Sequence, residues 1–178
     1  MTGANVDGSA SGVEAEPTEG LLLDVMLGKL STYLRMCGYD ATYALDRGVE
    51  GDDDLLALAV TEGRTLVTRD ESLAARAAAG LRIESTDVHE QLRELRAAGY
   101  DLSLSDRPRY CGACNAPLER VSWAESTPEY APDPGAERVW RCRDCGQHFW
   151  RGATGGTSPR RSKPSERHYF EVGHRRLR

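Results

Sequence analysis

Four aspartates stand where an apolar run ends or a helical pattern begins. They are Asp24 after Leu21-Leu22-Leu23, Asp52 at the head of Asp-Asp-Asp-Leu-Leu, Asp70 closing Leu-Val-Thr-Arg-Asp, and Asp87 within Glu-Ser-Thr-Asp-Val. A carboxylate at the carboxyl end of a strand points into the crevice where open α/β sheets bind ligands. Four of them sharing that crevice make a hard-cation site for Mg²⁺ or Mn²⁺, the chemistry that activates water against a phosphodiester. Singly, each has a plainer reading, because aspartate is a good helix N-cap. Together they favour a cation, since carboxylates aimed into one crevice repel unless a positive charge lies between them. Asp53 and Asp54 compete with Asp52 for its place. Lys29, Arg35 and Arg69 are candidates to hold a substrate backbone, though a solvated helix face or strand end accounts for each equally well. Thr68 or Arg69 is expected to add a polar contact.

A second chemistry is written in cysteines. Cys111-Gly-Ala-Cys114 and Cys142-Arg-Asp-Cys145 are two Cys-x-x-Cys pairs, the knuckles of a tetrahedral four-thiolate zinc site. The two-residue gap lets both sulfurs of a pair reach one ion. A closed four-cysteine site is structural, and a unit of about 40 residues with few large apolar groups draws its folding free energy from the metal. Disulfides or a redox dithiol are the alternatives; a cytoplasmic chain disfavours the first and the doubled motif the second. Cys37 falls on an apolar helix face and reads as core.

These groups need a scaffold, and the first hundred residues supply a regular one. Leu21–Asp24 reads as a buried strand. Met26–Cys37 reads as a helix with Leu27, Leu30, Leu34 and Cys37 inward, stopped by Gly38. A weaker strand spans Asp40–Leu45, a helix Asp52–Glu62 ends at Gly63, and Arg64–Thr68 is the clearest strand. A helix over Asp70–Ala79 ended by Gly80, a strand over Leu81–Ser85 and a helix over Asp87–Ala98 ended by Gly99 complete the pattern. Strands alternating with helices of this length imply an α/β fold, a parallel sheet with helices on both faces. A proline-bearing linker at Asp106-Arg107-Pro108 then opens the smaller cysteine unit.

Composition narrows the partners. Hydrophobic residues make up 39% of the 178 and aromatics 7%, so the core must be aliphatic. No apolar run approaches the roughly 20 residues that span a bilayer, and the N-terminus lacks a signal-peptide pattern; no membrane role and a cytoplasmic location are expected. The net charge of −5 is uneven. From Arg151 onward there are eight basic and two acidic residues, which leaves 15 basic and 26 acidic residues before it, a net of −11. So acidic a body is unusual for a nucleic-acid binder, and a salt-adapted source would reconcile the two. Residues 1–19 have the composition of a disordered leader.

The motifs in combination resemble the Mut7-C RNase domain family. Asp24 to Leu30, Tyr33-Leu34-Arg35, Gly38-Tyr39-Asp40, Asp52 to Leu56, Leu66 to Asp70 and the second cysteine pair ending in Phe149-Trp150-Arg151-Gly152 carry the likeness. The resemblance implies a PIN-like nuclease domain over 20–105 and a zinc ribbon over 106–152. It also implies a cytoplasmic RNase whose acids map onto Asp24, Asp52, Asp70 and Asp87, with RNA as substrate. The family often has a second acid directly after the first, where this chain has Val25. Its tail typically continues Ser-His-Trp after the final Gly. Here residues 153–178 are a basic stretch without periodicity, expected either as a disordered arm for RNA phosphates or as the product of a shifted reading frame. Deleting one A from codons for Gly-Ser-His-Trp-Gly-Asp-Val yields Gly-Ala-Thr-Gly-Gly-Thr-Ser, the sequence found at 152–158, and resequencing the locus decides between them.

Two rival functions remain open on sequence. One is a catalytically silent RNA- or ribosome-binding adaptor that keeps the fold, with the ribbon taking an RNA, protein or ribosome partner. Trp123, Tyr130, Trp140, Phe149 and Trp150 are its candidate stacking residues, or else packing around the zinc site. The other is a phospho-acceptor receiver, which wants an adjacent acid pair after the first strand and a late-strand lysine, neither of which is found. Cleavage specificity, RNA class and oligomeric state are not encoded in any motif.

Overall fold

The structure, a computed structural model, describes residues 20–105 and 107–151. The leader at 1–19 and the tail at 153–178 lie outside the described residues. Three consecutive leucines with no exposed surface form β1 (Leu21–Leu23). An unbroken apolar run of this kind belongs to a strand covered on both faces. β1 lies at the centre of a four-stranded parallel sheet, flanked by β2 (Ala41–Tyr43) and β3 (Thr65–Thr68), with β4 (Gly80–Arg82) beyond β3.

Alternate residues along the strands feed two cores. Leu21, Leu23 and Val67 face α1 (Gly28–Met36) and α4 (Val88–Ala97), meeting Leu27, Leu30, Leu34 and Leu95. Leu22 and Leu66 face the other way, onto Leu55 and Ala59 of α2 (Asp52–Glu62) and Leu73 of α3 (Glu71–Arg76). The chain leaves β1 towards β2 along one face and returns towards β3 along the other. The strand order β2-β1-β3-β4 therefore reverses direction between β1 and β3, and the crevice that such a switch point opens lies at their carboxyl ends.

The expected α/β fold is present, with local differences. The first helix is preceded by a short 3-10 turn over Val25–Leu27, and β2 runs into another over Ala44–Arg47. α3 stops at Arg76, and Gly80 opens β4 where it was expected to end the helix. Gly80 is not in the left-handed region; its role is space. A Cβ there would sit 2.1 Å from the Ala74 carbonyl oxygen, so only glycine lets β4 start this close to α3.

The cysteine unit is a three-stranded antiparallel sheet in the order β5 (Leu118–Arg120), β6 (Val139–Cys142), β7 (His148–Trp150). Cys111, Ala116, Cys142 and Phe149, with Leu118 against them, are its small core. The ribbon is docked on the free edge of β2. Asn115, the one described non-glycine residue with a left-handed φ (65°), accepts from the Ala41 amide at 3.1 Å and donates to the Asp40 carboxylate at 2.6 Å. Arg35 crosses the same joint. Its Nε donates to the Ala41 carbonyl (2.8 Å), one terminal nitrogen to the Gly112 and Ala113 carbonyls (3.2 and 3.1 Å), and the other to Asp46 (3.0 Å).

Candidate active site and metal centre

Asp24 occupies the first position past β1. Its amide donates to the Val67 carbonyl at 3.0 Å, which continues the β1–β3 ladder one step and sets Asp24 opposite Thr68. Its side chain is buried, 4% exposed. One carboxylate oxygen accepts from the Val25 amide at 2.5 Å, starting the 3-10 turn, and the other accepts from the Thr68 hydroxyl at 2.6 Å. The same Thr68 oxygen accepts from the Asp70 amide at 3.0 Å. Asp70 in turn caps α3, one oxygen accepting from the Leu73 amide at 2.8 Å, and its side chain is exposed. Asp24, Thr68 and Asp70 are thus one connected group at the switch point.

The other two aspartates stand at the same end of the sheet, because every helix after a parallel strand begins there, but they have different attachments. Asp87 caps α4 by accepting from the His89 and Glu90 amides at 2.9 and 3.2 Å, the simple capping role. Asp52 opens α2 with 60% of its side chain exposed and its nearest cation, Arg76, 4.0 Å away. Its neighbour Asp53 holds the closer ion pair with Arg76. Asp54 turns back over Gly51. Among the described residues no three carboxylates have oxygens gathered as tightly as the cysteine sulfurs are.

The cation candidates separate clearly. Lys29 is exposed on the first turn of α1, past the Asp24 turn. Arg69, between Thr68 and Asp70, has a buried Nε with no hydrogen-bond partner among the described residues. Arg35 is a correction: it is 2% exposed and spends its donors on three carbonyls and Asp46, so it is a strut between sheet and ribbon and offers nothing to a substrate. Sequence reading passed over Tyr43. Its hydroxyl donates to the Val25 carbonyl at 2.7 Å, and a Cβ on Gly28 would lie 3.0 Å from its ring, so the tyrosine clamps the turn that holds Asp24. Burial, then the charges of Asp46 and Asp24, push that hydroxyl above its ordinary pKa. The sequence clue was its place at the end of β2, the strand-end criterion applied to acids alone.

The four cysteines form the second centre. All four sulfurs lie within 4.8 Å of one another. The Cys111–Cys145 and Cys114–Cys142 separations are 3.7 and 3.5 Å. A tetrahedron with metal–sulfur bonds of about 2.3 Å has edges of about 3.8 Å, so these thiols fit a zinc ion; a disulfide needs about 2.0 Å. Burial raises the Cys111 thiol and pushes Cys114 up to about 11. At Cys142 burial opposes ionisation, but the Cys145 and Asp144 amides outweigh it and hold the thiol below its usual value. Cys37 lies elsewhere, its sulfur 3.3 Å from the Leu102 carbonyl.

Behind the strands, on the face away from the cysteines, Glu119, Arg141 and His148 form a row, with Arg141 bonded to Glu119 at 2.6 Å and to Glu125 at 3.3 Å. Tyr130 covers His148, its hydroxyl 3.3 Å from Nδ1. Of the ribbon aromatics, Trp140 and Phe149 are buried and Trp150 half-buried, while Trp123 and Tyr130 are 79% and 48% exposed. No helix among the described residues is long and apolar enough to cross a membrane.

Compared with known families, the chain matches the model of the Mut7-C RNAse domain over residues 19–158. No curated protein and no solved structure matches it.

Proposed function

Because the chain belongs to the Mut7-C RNAse domain family, we propose that it hydrolyses RNA phosphodiester bonds with Mg²⁺ or Mn²⁺ at the carboxyl ends of β1 and β3. The observation that carries this reading is the Thr68 hydroxyl, which joins the Asp24 carboxylate to Asp70 at the switch point. Asp24 and Asp70 are the pair that would hold the cation, in keeping with Mg²⁺ binding through one or two carboxylates and several waters. When bound, such an ion lowers the pKa of water and stabilises a departing oxygen.

The chain's own residues have separate tasks in this reading. Asp24 is fixed in one orientation by Thr68 and Val25, so it supplies charge without reorganising. Asp70 keeps one oxygen for the solvent side while the other caps α3. Arg69, between Thr68 and Asp70 in the chain, would offer its guanidinium to a non-bridging phosphate oxygen; its buried Nε has no partner among the described residues. Lys29 adds a mobile charge at the mouth. Asp52 and Asp87 are outer acids of the same end, and the four cysteines hold zinc as a structural ion. The expected units, a nuclease body over 20–105 and a ribbon over 106–152, belong to this proposal.

The test is cleavage of a labelled single-stranded RNA with Mn²⁺ by wild type, Asp24→Asn and Asp70→Asn. Loss on the order of 100-fold in each variant is expected, against less than 10-fold for Asp87→Asn. Equal turnover by all three proteins would sink the assignment. RNA binding without turnover in any of them supports the silent adaptor, a reading consistent with the spread of the four acids.

A further inference from the structure

We propose that the connected end of the β5–β6 pair, where the chain leaves β5 and returns into β6, is a platform for single-stranded RNA, with Trp123 stacking on a base and Arg120 and Arg138 meeting phosphates. The inference rests on RNA being the ligand and adds where the strand is held outside the acidic crevice.

The ribbon buries Trp140 and half-buries Trp150, yet leaves Trp123 79% exposed, more than any other large hydrophobic side chain described. Nor does Trp123 sit on a loose loop. The Ser122 amide donates to the Glu125 carboxylate and the Glu125 amide donates back to the Ser122 carbonyl, both at 3.0 Å. Arg141 of β6 bonds the same Glu125 carboxylate, which anchors the turn to the sheet. A tryptophan displayed at the tip of a closed, anchored turn loses little conformational freedom on binding, the condition that favours a stacking residue.

Two exposed arginines, Arg120 and Arg138, lie where the strands lead into and out of this connection. Arg120 lies opposite Trp140, with its guanidinium carbon 5.3 Å from the indole centroid, and Val121 still pairs with Val139. Arg138 immediately precedes β6, and one further step of the same register sets it across from Ser122. Neither arginine has a carboxylate partner among the described residues. Most arginines of the α/β body do have one: Arg35, Arg47, Arg64, Arg76, Arg82 and Arg93 are all in ion pairs. The charge balance agrees. Residues 20–105 carry nine basic and fifteen acidic residues, whereas 107–151 carry seven and six. A polyanion is repelled by the body and accepted at the ribbon, where guanidinium groups without carboxylate partners and an exposed π-face lie on one connection.

The experiment is fluorescence anisotropy of labelled oligo-uridine with the full-length, zinc-loaded chain in buffer without Mg²⁺ or Mn²⁺, so that nothing depends on hydrolysis. Trp123→Ala is expected to weaken binding by about 10-fold, with Trp123→Phe restoring most of it. The double variant Arg120→Gln with Arg138→Gln should lower the salt slope by about 1.4, from two single-strand phosphate contacts. Bound zinc, measured by mass spectrometry, should stay at one per chain in Trp123→Ala, because the ring is outside the core. Equal affinity for wild type and Trp123→Ala, or no binding by wild type, overturns the platform even if RNA is cleaved when Mn²⁺ is added. Trp123-dependent binding with no cleavage under Mn²⁺ supports it and overturns the hydrolysis instead.

Discussion

Thr68 has no exposed surface, yet its hydroxyl serves two neighbours, donating to Asp24 and accepting from the Asp70 amide. Thr68→Val keeps the shape and removes both bonds, leaving Asp24 free to turn and its oxygen unsatisfied. A stability loss of about 1–3 kcal/mol is expected, with a higher Mn²⁺ requirement for RNA cleavage that Thr68→Ser restores. Urea denaturation and a Mn²⁺ titration separate the two effects. At the same scale, burial and then the charge of Asp101 push Cys37 up to about 11, so its thiol stays protonated at neutral pH. Native, zinc-loaded protein treated with iodoacetamide at pH 7.5 should leave Cys37 unlabelled, and denaturation should expose it; peptide mass spectrometry reads both. Strand-end position in the sequence points to Asp24 and Asp70, which Thr68 links in the fold. It ranks Asp52 lower, since Asp53 and Asp54 compete with it, and leaves Asp87 as ligand or cap, because the two look alike until the helix amides around them are placed. Arg35 misled for another reason: its partners Gly112 and Ala113 are 77 and 78 residues away, and periodicity carries no information about contacts of that range.

Helix α2 spans Asp52–Glu62 as its pattern indicates, with Gly63 at φ 61° closing it. The two central strands, β1 and β3, were legible because parallel strands buried on both faces appear as largely apolar runs. α3 was overextended, since a run of alanines up to Gly80 looks helical by propensity. Tertiary packing decides there: β4 must reach β3, and the approach to Ala74 is possible only without a Cβ. Gly80→Ala is therefore expected to destabilise by about 1–3 kcal/mol or more, seen as a lower urea midpoint, even though alanine has the better intrinsic propensity. In the ribbon, burial and then the Arg141 charge hold His148 below its ordinary value of 6.5. The folded chain refuses a proton that the unfolded chain accepts, so this contribution is complete above pH 6.5 and is lost as pH falls below it. The advantage of wild type over His148→Gln in urea should accordingly shrink between pH 7.5 and 5.5.

Across the whole molecule, the first Cys-x-x-Cys knuckle is tied directly to the sheet, because Gly112, Ala113 and Asn115 all bond to Arg35 or β2. Arg35→Met strands carbonyls on both sides of the joint and should cost on the order of 3 kcal/mol. Stripping zinc with a strong chelator should lower the melting temperature of the α/β body as well as unfold the ribbon. Circular dichroism followed at a helical wavelength checks this, and an unchanged helical transition would count against the coupling. Sequence reading separated the two units through the linker but could not see their joint, which depends on a left-handed asparagine meeting a strand edge. That joint has one more consequence. Ala41 is the residue whose amide and carbonyl point away from β1, and Asn115 and Arg35 occupy both. Arg35 comes from α1 and stays when the ribbon unfolds, but loss of Asn115 would leave the Ala41 amide bare, an edge donor to which a second chain can pair. A chain that has lost its ribbon would therefore carry one uncovered edge donor on β2, the point at which pairing with another chain would begin.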